Sequence, residues 1–349
     1  MTNLKNICVL RLSALGDCIN AFGFIGGLKQ ADPNLNVSLV IDKRFAPIFK
    51  DANGKDLIPL YQVDFKNEGI KSILKLRQEL KSVKFDALLN IQTSFKASLT
   101  SLAIKAPLKI GYDKDRSREC QRLFVNKIAP SPQDKHVLSG FLAFAKALGY
   151  SDVKPFWDFK LQENEIAAMQ HKLPSKPIFA IAPASAKAEK NWTVAGYSAI
   201  GKLAVEQGFV PVLIGSNSSL ELNLCQEIED RIGSSCLNLC GKTSLRELLC
   251  LLKIAKIALC PDSGTMHAAS ALNTPVIGLF ARHSEKRVGP WNFMHLCVSV
   301  YDKLAQEELK DKSVPWRYRV KQDDAMSQIK IETVKDTFLR ALKEINYEK

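Results

Sequence analysis

An aspartate stands just past the first strand-like run of the chain. In the segment RLSALGDCIN, residues 11–20, Gly16 allows a tight turn and Asp17 falls at the start of a predicted helix. The carboxyl end of a strand is where open α/β sheets bind their ligands, and a carboxylate there can act as a general base. The same aspartate could instead cap the helix by accepting hydrogen bonds from its first amides. Spacing alone leaves both interpretations open.

A second polar segment, IAPASAKAEKNW at residues 181–192, also follows a predicted strand directly. Ser185 supplies a hydroxyl, Lys187 and Lys190 supply positive charge, and Trp192 anchors the start of the next predicted helix. A hydroxyl, ammonium groups and the free amides of a helix start together suit a phosphate. A solvated, lysine-rich loop would have the same composition, so this alternative stays open.

A third segment, CPDSGTMHAASALNTPVIGLF at 260–280, runs from a strand through a helix into another buried strand. The residues that open its helix are Asp262, Ser263, Gly264, Thr265 and His267. We expect Asp262 to cap the helix. The amides of the next three residues then point out of its positive end, which stabilises each neighbouring anion by about 0.3–1 kcal/mol. His267 could donate to a phosphate or serve only as a helix histidine. The segment therefore predicts a diphosphate site.

Short apolar runs alternate with amphipathic stretches along almost the whole chain, which predicts parallel strands in βαβ units. Strands are predicted at 7–12, 37–41, 87–91, 178–182, 210–214, 236–239, 257–259 and 276–279. The fold class is thus α/β, with two doubly wound, Rossmann-like domains. We set these domains at 1–165 and 166–325, followed by an amphipathic C-terminal helix within 326–349.

The chain is strongly basic. Its 349 residues carry a formal charge of +13, and the first 174 residues hold 26 Lys and Arg against 17 Asp and Glu. Such an excess suits an anionic partner, which could be nucleic acid, an anionic lipid surface or a phosphorylated glycan. The nine cysteines form no CxxC pair, which predicts free thiols in a reducing compartment and no zinc site. Neither a membrane-spanning run nor a secretory signal is evident, so we expect a cytoplasmic protein.

Three motifs in this order, RLSALGD, PASAKAEKNW and PDSGTMHAASALNTPVIGLF, resemble those of the heptosyltransferases of glycosyltransferase family 9. The resemblance spans residues 5–300. It implies a two-domain GT-B fold with the active site in a cleft between the domains, and a C-terminal helix that packs back on the N-terminal domain. It also implies an inverting, metal-independent transfer, without a cofactor, from the donor substrate ADP-heptose onto the Kdo-lipid A of the lipopolysaccharide inner core.

By position, the resemblance assigns Asp17 as the general base and Lys190 as the phosphate-binding lysine of the catalytic site. Ser185 matches a hydroxyl that contacts the donor, whereas Ala186 stands where relatives often carry a second hydroxyl. The rest of the expected donor-binding set is Lys187, Glu221, Asp262, Ser263, Gly264, Thr265 and His267, with Glu221 on the adenosine ribose. The expected acceptor-binding set is Gln92, Lys96, Arg116, Arg118 and Arg122. Its cations suit the carboxylates and phosphates of such an acceptor.

The basic residues near 96–127 bear on two further expectations. The sequence DKD at 113–115 resembles a metal-binding DxD motif, but the lysine and arginines around it would repel a divalent ion and favour a solvated turn. The same positive charge predicts a peripheral association with the anionic inner membrane, on its cytoplasmic face. We expect the chain to act as a monomer.

Several alternatives remain. Transfer of the first heptose is favoured by the basic first half and by VPWRYRV at 314–320, which is similar to a segment of first-heptose enzymes; transfer of the second heptose is the alternative. A nucleic-acid-binding protein would also be basic, but these cations are not interleaved with exposed aromatics and no recognised binding motif occurs. A dehydrogenase or an epimerase loses its best support because the chain has no GxGxxG fingerprint.

Overall fold

The computed structural model describes residues 4–310 and 312–345. The chain divides into two compact units, Met1–Lys160 and Leu161–Lys349. The predicted boundary at residue 165 falls inside the first helix of the second unit, Glu163–Gln170. Each unit has its own parallel sheet and is described by itself.

The first unit is built on a six-stranded sheet. Its strands are β1 (Asn6–Leu10), β2 (Asn36–Asp42), β3 (Leu60–Val63), β4 (Ala87–Asn90), β5 (Leu108–Gly111) and β6 (Lys127–Ile128). They lie in the order β3-β2-β1-β4-β5-β6, and every neighbouring pair is parallel. Because the order reverses between β1 and β4, the loops that follow these two strands diverge and leave a crevice at the carboxyl edge of the sheet.

The described residues of this unit, from residue 4 onwards, form five α-helices beside the sheet. They are α1 (Leu15–Ala31), α2 (Phe65–Glu68), α3 (Lys71–Glu79), α4 (Phe95–Thr100) and α5 (Val137–Leu148). Three short 3₁₀ turns, Ala46–Phe49, Ser101–Ala103 and Gln121–Phe124, complete the unit. The three strands predicted in this half are confirmed as β1, β2 and β4, whereas β3, β5 and β6 were not predicted.

Helix α1 is fixed by the last segment of the first unit. A Cβ atom at Gly23 would lie 2.1 Å from the indole of Trp157, so that only glycine fits there. The indole Nε1 of Trp157 donates a hydrogen bond to the carbonyl oxygen of Ile19 at 2.7 Å. The backbone amide of Phe156 donates a second hydrogen bond to the carbonyl oxygen of Gly23 at 2.9 Å. These contacts set the axis of the helix whose first turn carries Asp17.

The second unit repeats the plan. Its strands are β7 (Ile178–Ile181), β8 (Val210–Leu213), β9 (Leu237–Asn238), β10 (Ile257–Pro261), β11 (Val276–Phe280) and β12 (Val298–Ser299). They form one parallel sheet in the order β12-β11-β10-β7-β8-β9, whose order reverses between β10 and β7. The five strands predicted here are confirmed, and β12 is an addition. The predicted fold class, two doubly wound domains, is thereby confirmed.

The helices of the second unit are α6 (Glu163–Gln170), α7 (Val194–Glu206), α8 (Ser219–Ile232), α9 (Leu245–Ile254), α10 (Gly264–Ala271), α11 (Glu285–Val288), α12 (Tyr301–Leu309) and α13 (Ile331–Glu344). Three 3₁₀ turns lie at Ala188–Lys190, Trp291–Leu296 and Ala325–Gln328. Among residues 4–310 and 312–345, no helix is both long and apolar enough to cross a membrane.

The predicted C-terminal segment, 326–349, forms no unit of its own. The amphipathic helix α13 buries Val334, Phe338 and Ala341 in the core of the second unit, although the resemblance implied packing on the N-terminal domain. The ring centroid of Phe338 lies 4.9 Å from that of Phe179 and 6.2 Å from that of Phe209. Residues at i, i+4 and i+7 share one helix face, and this face meets α7, β11 and β12. Residues 346–349 of the prediction lie outside the described part.

Candidate functional site

Asp17 does not cap the helix that it opens. Helix α1 begins after Ala14, whose side chain makes no capping hydrogen bond. The Oδ2 atom of Asp17 instead accepts a hydrogen bond from the guanidinium of Arg11, at the end of β1. The side chain of Asp17 is 28% exposed, so the carboxylate reaches solvent while one of its oxygens is held. A carboxylate in the first turn is also favoured by the helix dipole.

Arg11 joins the two strands at the crevice of the first unit. Its Nη1 donates to the carbonyl oxygen of Ile91 at 2.8 Å, just past β4, while Nη2 donates to Asp17. The guanidinium carbon lies 5.6 Å from the ring centroid of Phe141, at a distance typical of a cation–π contact. Sequence reasoning missed this role, because Ile91 is eighty residues away from Arg11 along the chain.

Gln92 connects the loop after β1 to the loop after β4 through hydrogen bonds. Its Oε1 accepts hydrogen bonds from the amides of Leu12 at 2.6 Å and Ser13 at 3.2 Å, and its Nε2 donates to the hydroxyl of Ser94 at 3.0 Å. The side chain is buried, with both ends of its amide engaged within the protein. The structure therefore places Gln92 beside the Asp17 loop, where it shapes the crevice; contact with an acceptor stays a prediction.

The four predicted acceptor cations differ in their surroundings. Arg116 is buried, donates through Nη2 to the carbonyl oxygen of Asp134 at 2.8 Å and lies 3.7 Å from the carboxylate of Asp113. Asp113 is itself buried, whereas Lys114 and Asp115 are exposed in a turn, so the expected solvated turn holds for the last two residues of DKD and not for the first. Lys96, Arg118 and Arg122 are exposed. These three cations, rather than Arg116, are placed to meet an anion in solution.

At the crevice of the second unit, Lys190 and Asp262 form an ion pair. The Nζ of Lys190, in the 3₁₀ turn after β7, lies 2.7 Å from the carbonyl oxygen of Asp262 and 3.0 Å from its Oδ2. Both side chains are about 15% exposed. Asp262 follows β10, the neighbour of β7, so the pair spans the point where the strand order reverses.

His283 completes this cluster, and sequence reasoning missed it. Its Nδ1 lies 2.8 Å from Oδ2 of Asp262. An ionised carboxylate can only accept, so Nδ1 carries the hydrogen and Nε2 is directed away from Asp262. Burial raises the pKa of Asp262, but the hydrogen bond from His283 and the charge of Lys190 outweigh it and hold the pKa well below 3.8. The sequence feature that could have identified His283 is its position shortly after β11, the strand next to β10 in the sheet.

Helix α10 begins at this cluster. Its N-cap is Ser263, whose hydroxyl accepts from the amide of Met266 at 3.4 Å, which corrects the prediction that Asp262 caps the helix. Asp262 is unavailable as a cap because its carboxylate is held by Lys190 and His283. Gly264 and Thr265, in the first turn, are partly exposed, whereas His267 is buried.

The remaining predicted donor residues follow strands of the same sheet, with Ser185 and Lys187 on the loop after β7 and Glu221 in the first turn of α8. Ser185 is buried, and its hydroxyl donates to the carbonyl oxygen of Lys187 at 2.9 Å. Lys187 is exposed. Glu221, past β8, accepts through Oε2 from the amide of Ser216 at 2.6 Å, and a Cβ at Gly215 would lie 2.8 Å from that oxygen. The structure thus gathers Ser185, Lys190 and Asp262 around the crevice and puts Glu221 one strand further along.

In the described part of the chain, no group of three or more His, Cys, Asp and Glu side chains is arranged to hold a metal ion. The second unit places an ammonium group, an imidazole and the first turn of α10 at its crevice. The first unit presents a carboxylate held by Arg11. Two doubly wound units, each with polar side chains at the reversal of its strand order, have the architecture of the GT-B glycosyltransferases.

Comparison with known proteins agrees with this class. The profile of glycosyltransferase family 9 (heptosyltransferase) matches residues 73–317. The lipopolysaccharide core heptosyltransferase OpsX of Haemophilus influenzae is 36% identical over 333 residues, which cover 95% of each chain. The chain therefore belongs to glycosyltransferase family 9, the heptosyltransferases, and the predicted enzyme class is confirmed.

Solved structures agree on the fold. The glycosyl transferase family 9 protein of Veillonella parvula superposes with a TM-score of 0.78 at 20% identity, covering 97% of this chain and 98% of that one. The Escherichia coli heptosyltransferase WaaC, solved with ADP, gives a TM-score of 0.73 at 18% identity, covering 96% of this chain and 99% of that one.

Proposed function

We propose that this glycosyltransferase transfers heptose from ADP-heptose onto the Kdo of Kdo-lipid A, in the lipopolysaccharide inner core. The observation that carries the proposal is the cluster of Lys190, Asp262 and His283 in front of helix α10, which suits a nucleotide diphosphate. A similar heptosyltransferase that was solved with ADP supports the donor assignment, and a relative that is named a lipopolysaccharide core heptosyltransferase supports an acceptor of the lipopolysaccharide type.

In the proposed reaction, Asp17 is the general base. The acceptor hydroxyl attacks the anomeric carbon of heptose on the face opposite the diphosphate, its proton passes to Asp17, and the bond to the β-phosphate oxygen breaks, which inverts the configuration. Because Arg11 donates to Oδ2, we assign the uptake of the proton to Oδ1. Such a base contributes a factor of about 10²–10⁴ in rate.

The leaving ADP gains negative charge as the bond breaks. Preorganised donors that face this charge stabilise the transition state most. We assign this task to the ammonium of Lys190, the Nε2 of His283 and the amides of residues 263–265. Asp262 keeps the first two oriented, because its Oδ2 is their shared partner. With these groups in place the proposed reaction needs neither a metal ion nor a cofactor.

The first heptose step is proposed because three exposed cations, Lys96, Arg118 and Arg122, lie in the unit that carries the base. An acceptor that still shows its Kdo carboxylates would be attracted by them. The second heptose step is the competing possibility, and the acceptor requirement decides between them.

The test is turnover of the purified protein with ADP-heptose and Kdo-lipid A in the presence of EDTA, measured as ADP release and as acceptor mass. We expect one heptose mass to be added. Turnover only on an acceptor that already carries a heptose would move the protein to the second step. Turnover that EDTA abolishes and Mg²⁺ restores would overturn the metal-free mechanism, and failure on both acceptors would overturn the substrate assignment.

A further inference from the structure

Seven large apolar side chains are exposed among the described residues of the first unit, and five of them lie between residues 70 and 123. The exposed fractions are 69% for Ile70, 62% for Leu74, 48% for Phe95, 58% for Leu102 and 82% for Leu123. Single exposed apolar residues are ordinary on a protein surface, whereas a continuous set marks an interaction site.

The elements that carry these five residues contact one another. Helix α3, with Ile70 at its start and Leu74 one turn later, packs against the turn Ser101–Ala103, which carries Leu102. That turn continues from α4, and α4 packs against the turn Gln121–Phe124, which carries Leu123. The ring centroids of Phe95 and Phe124 lie 6.3 Å apart. The exposed apolar groups therefore belong to one connected region.

Exposed cations accompany these apolar groups. On α2, on these elements and on the loops between them, the exposed basic residues include Lys66, Lys71, Lys75, Lys96, Lys105 and Arg122, while α3 also exposes Arg77 and Glu79. The acidic Glu68 is paired with Lys75 at 2.6 Å, and Glu119 accepts a hydrogen bond from the amide of Phe95. We call these five apolar and six basic side chains the apolar–basic surface.

We propose that the apolar–basic surface docks this enzyme on an anionic lipid membrane. Apolar side chains ringed by lysines enter the boundary between headgroups and acyl chains, while the ammonium groups meet anionic headgroups. The six cations favour an anionic occupant, and the exposed apolar side chains beside them favour a membrane over an acidic, water-soluble partner. The proposal deepens the proposed function, because an acceptor anchored by lipid A is itself embedded in a membrane.

The connection to the crevice supports this placement. Ser94 caps α4 and also accepts the hydrogen bond from Gln92, which lies beside the loop that precedes Asp17. Phe95, the next residue along the chain, belongs to the apolar–basic surface. A membrane-bound protein docked through this surface would hold its acceptor-side crevice near the lipid that carries the acceptor.

The test is flotation of the full-length protein with vesicles of phosphatidylethanolamine and phosphatidylglycerol, compared with vesicles of phosphatidylcholine alone. We expect binding to the anionic vesicles only, and weakening by added salt. The double variant Leu74→Gln/Leu123→Gln should bind about tenfold more weakly or worse, since two apolar anchors are lost. The matched control Leu220→Gln/Leu222→Gln, whose leucines are exposed on α8 of the second unit, should bind as the wild type does.

Equal binding of the wild type to both vesicle types, or unchanged binding of Leu74→Gln/Leu123→Gln, would overturn the proposal. Sedimentation velocity tests whether a second copy of the chain occupies this surface instead. If the wild type is a dimer, the double variant is a monomer and neither binds vesicles, the surface is a contact between two copies. Thermal unfolding of each variant verifies that it is folded.

Vesicle binding is measured without substrates, so it stands even if the heptose assignment fails. A further comparison joins the two proposals. On a deacylated, water-soluble acceptor the double variant should turn over as the wild type does, whereas on Kdo-lipid A in anionic vesicles it should be slower by about the factor lost in binding. Equal loss on both acceptors would show that the surface acts on the reaction itself and not through the membrane.

Discussion

The Nδ1 of His283 lies 2.8 Å from Oδ2 of Asp262, the same oxygen that lies 3.0 Å from Nζ of Lys190. One carboxylate oxygen thus orients two cationic or hydrogen-bonding groups that come from different loops. Since a fixed donor costs no reorganisation when charge develops, this arrangement makes His283 a working part of the proposed donor site.

The substitution His283→Asn tests that role. The asparagine amide can replace Nδ1 as the donor to Asp262 but has no counterpart of Nε2. We expect kcat/KM to fall about ten- to a hundredfold, the range for one hydrogen bond to a charged group. The matched control is His295→Asn, because the exposed ring of His295 lies near Phe293 and Glu344 and away from the Asp262 cluster. If His283 merely positions Asp262, His283→Asn should retain activity.

The substitution Asp17→Asn tests the base. Asparagine keeps an oxygen for Arg11, so the crevice should stay intact, but it cannot take up the acceptor proton. We expect kcat to fall by a factor of about 10²–10⁴ with a small change in KM. The exposed Asp152 offers a control, and Asp152→Asn should leave steady-state kinetics as they are. Full activity of Asp17→Asn would remove the general-base assignment.

The ion pair of Asp262 should appear in the pH dependence of stability. Its pKa is lowered in the folded protein, so the carboxylate stabilises the fold fully above the ordinary value of 3.8, and this stabilisation is lost as the pH falls toward the folded value. The free energy of unfolding of the wild type should therefore exceed that of Asp262→Asn by a constant amount near neutrality and approach it below pH 3.8. Denaturant titrations across this range measure the difference. If the difference in unfolding free energy between the two proteins does not decrease in acid, the ion pair does not lower the pKa of Asp262.

The contact between Gly23 and Trp157 makes a prediction about stability. Because a Cβ at Gly23 would overlap the indole, Gly23→Ala should destabilise the protein by about 1–3 kcal/mol through overpacking. Gly140 is the matched control, since it lies in α5 and its added Cβ would meet only ordinary contacts from 3.5 Å. Gly140→Ala should be neutral or stabilising by up to about 1 kcal/mol. Equal effects at both positions would mean that the helix axis is not set by Trp157.

The sequence predicted the central strands and the loops at their carboxyl ends, because buried parallel strands are continuous apolar runs. Strands at the edges escaped prediction: β6, Lys127–Ile128, is two residues long and exposed, so it carries no apolar run. Asp17, Lys190 and Asp262 were found because each follows a predicted strand directly.

Partnerships were harder to predict than positions. Nothing in the spacing of PDSG shows that Asp262 gives its carboxylate to Lys190 and His283 and leaves the cap to Ser263. Likewise, Arg11 and Ile91 meet only because β1 and β4 are neighbours in the sheet. The amphipathic pattern of α13 predicted a buried face but could not choose its partner, which proved to be the aromatic core around Phe179.

The pairing of Lys190 with Asp262 also bears on how the enzyme tells its donor from the many small phosphates in a cell. Without a donor, the ammonium already has an internal counterion, so a lone inorganic phosphate must compete with a carboxylate for it. A nucleotide sugar makes additional contacts through its base, ribose and heptose, which help it to displace the carboxylate, whereas a bare phosphate has no such contacts. We therefore expect the ion pair to act as a threshold that makes orthophosphate a poor inhibitor while ADP remains an effective one.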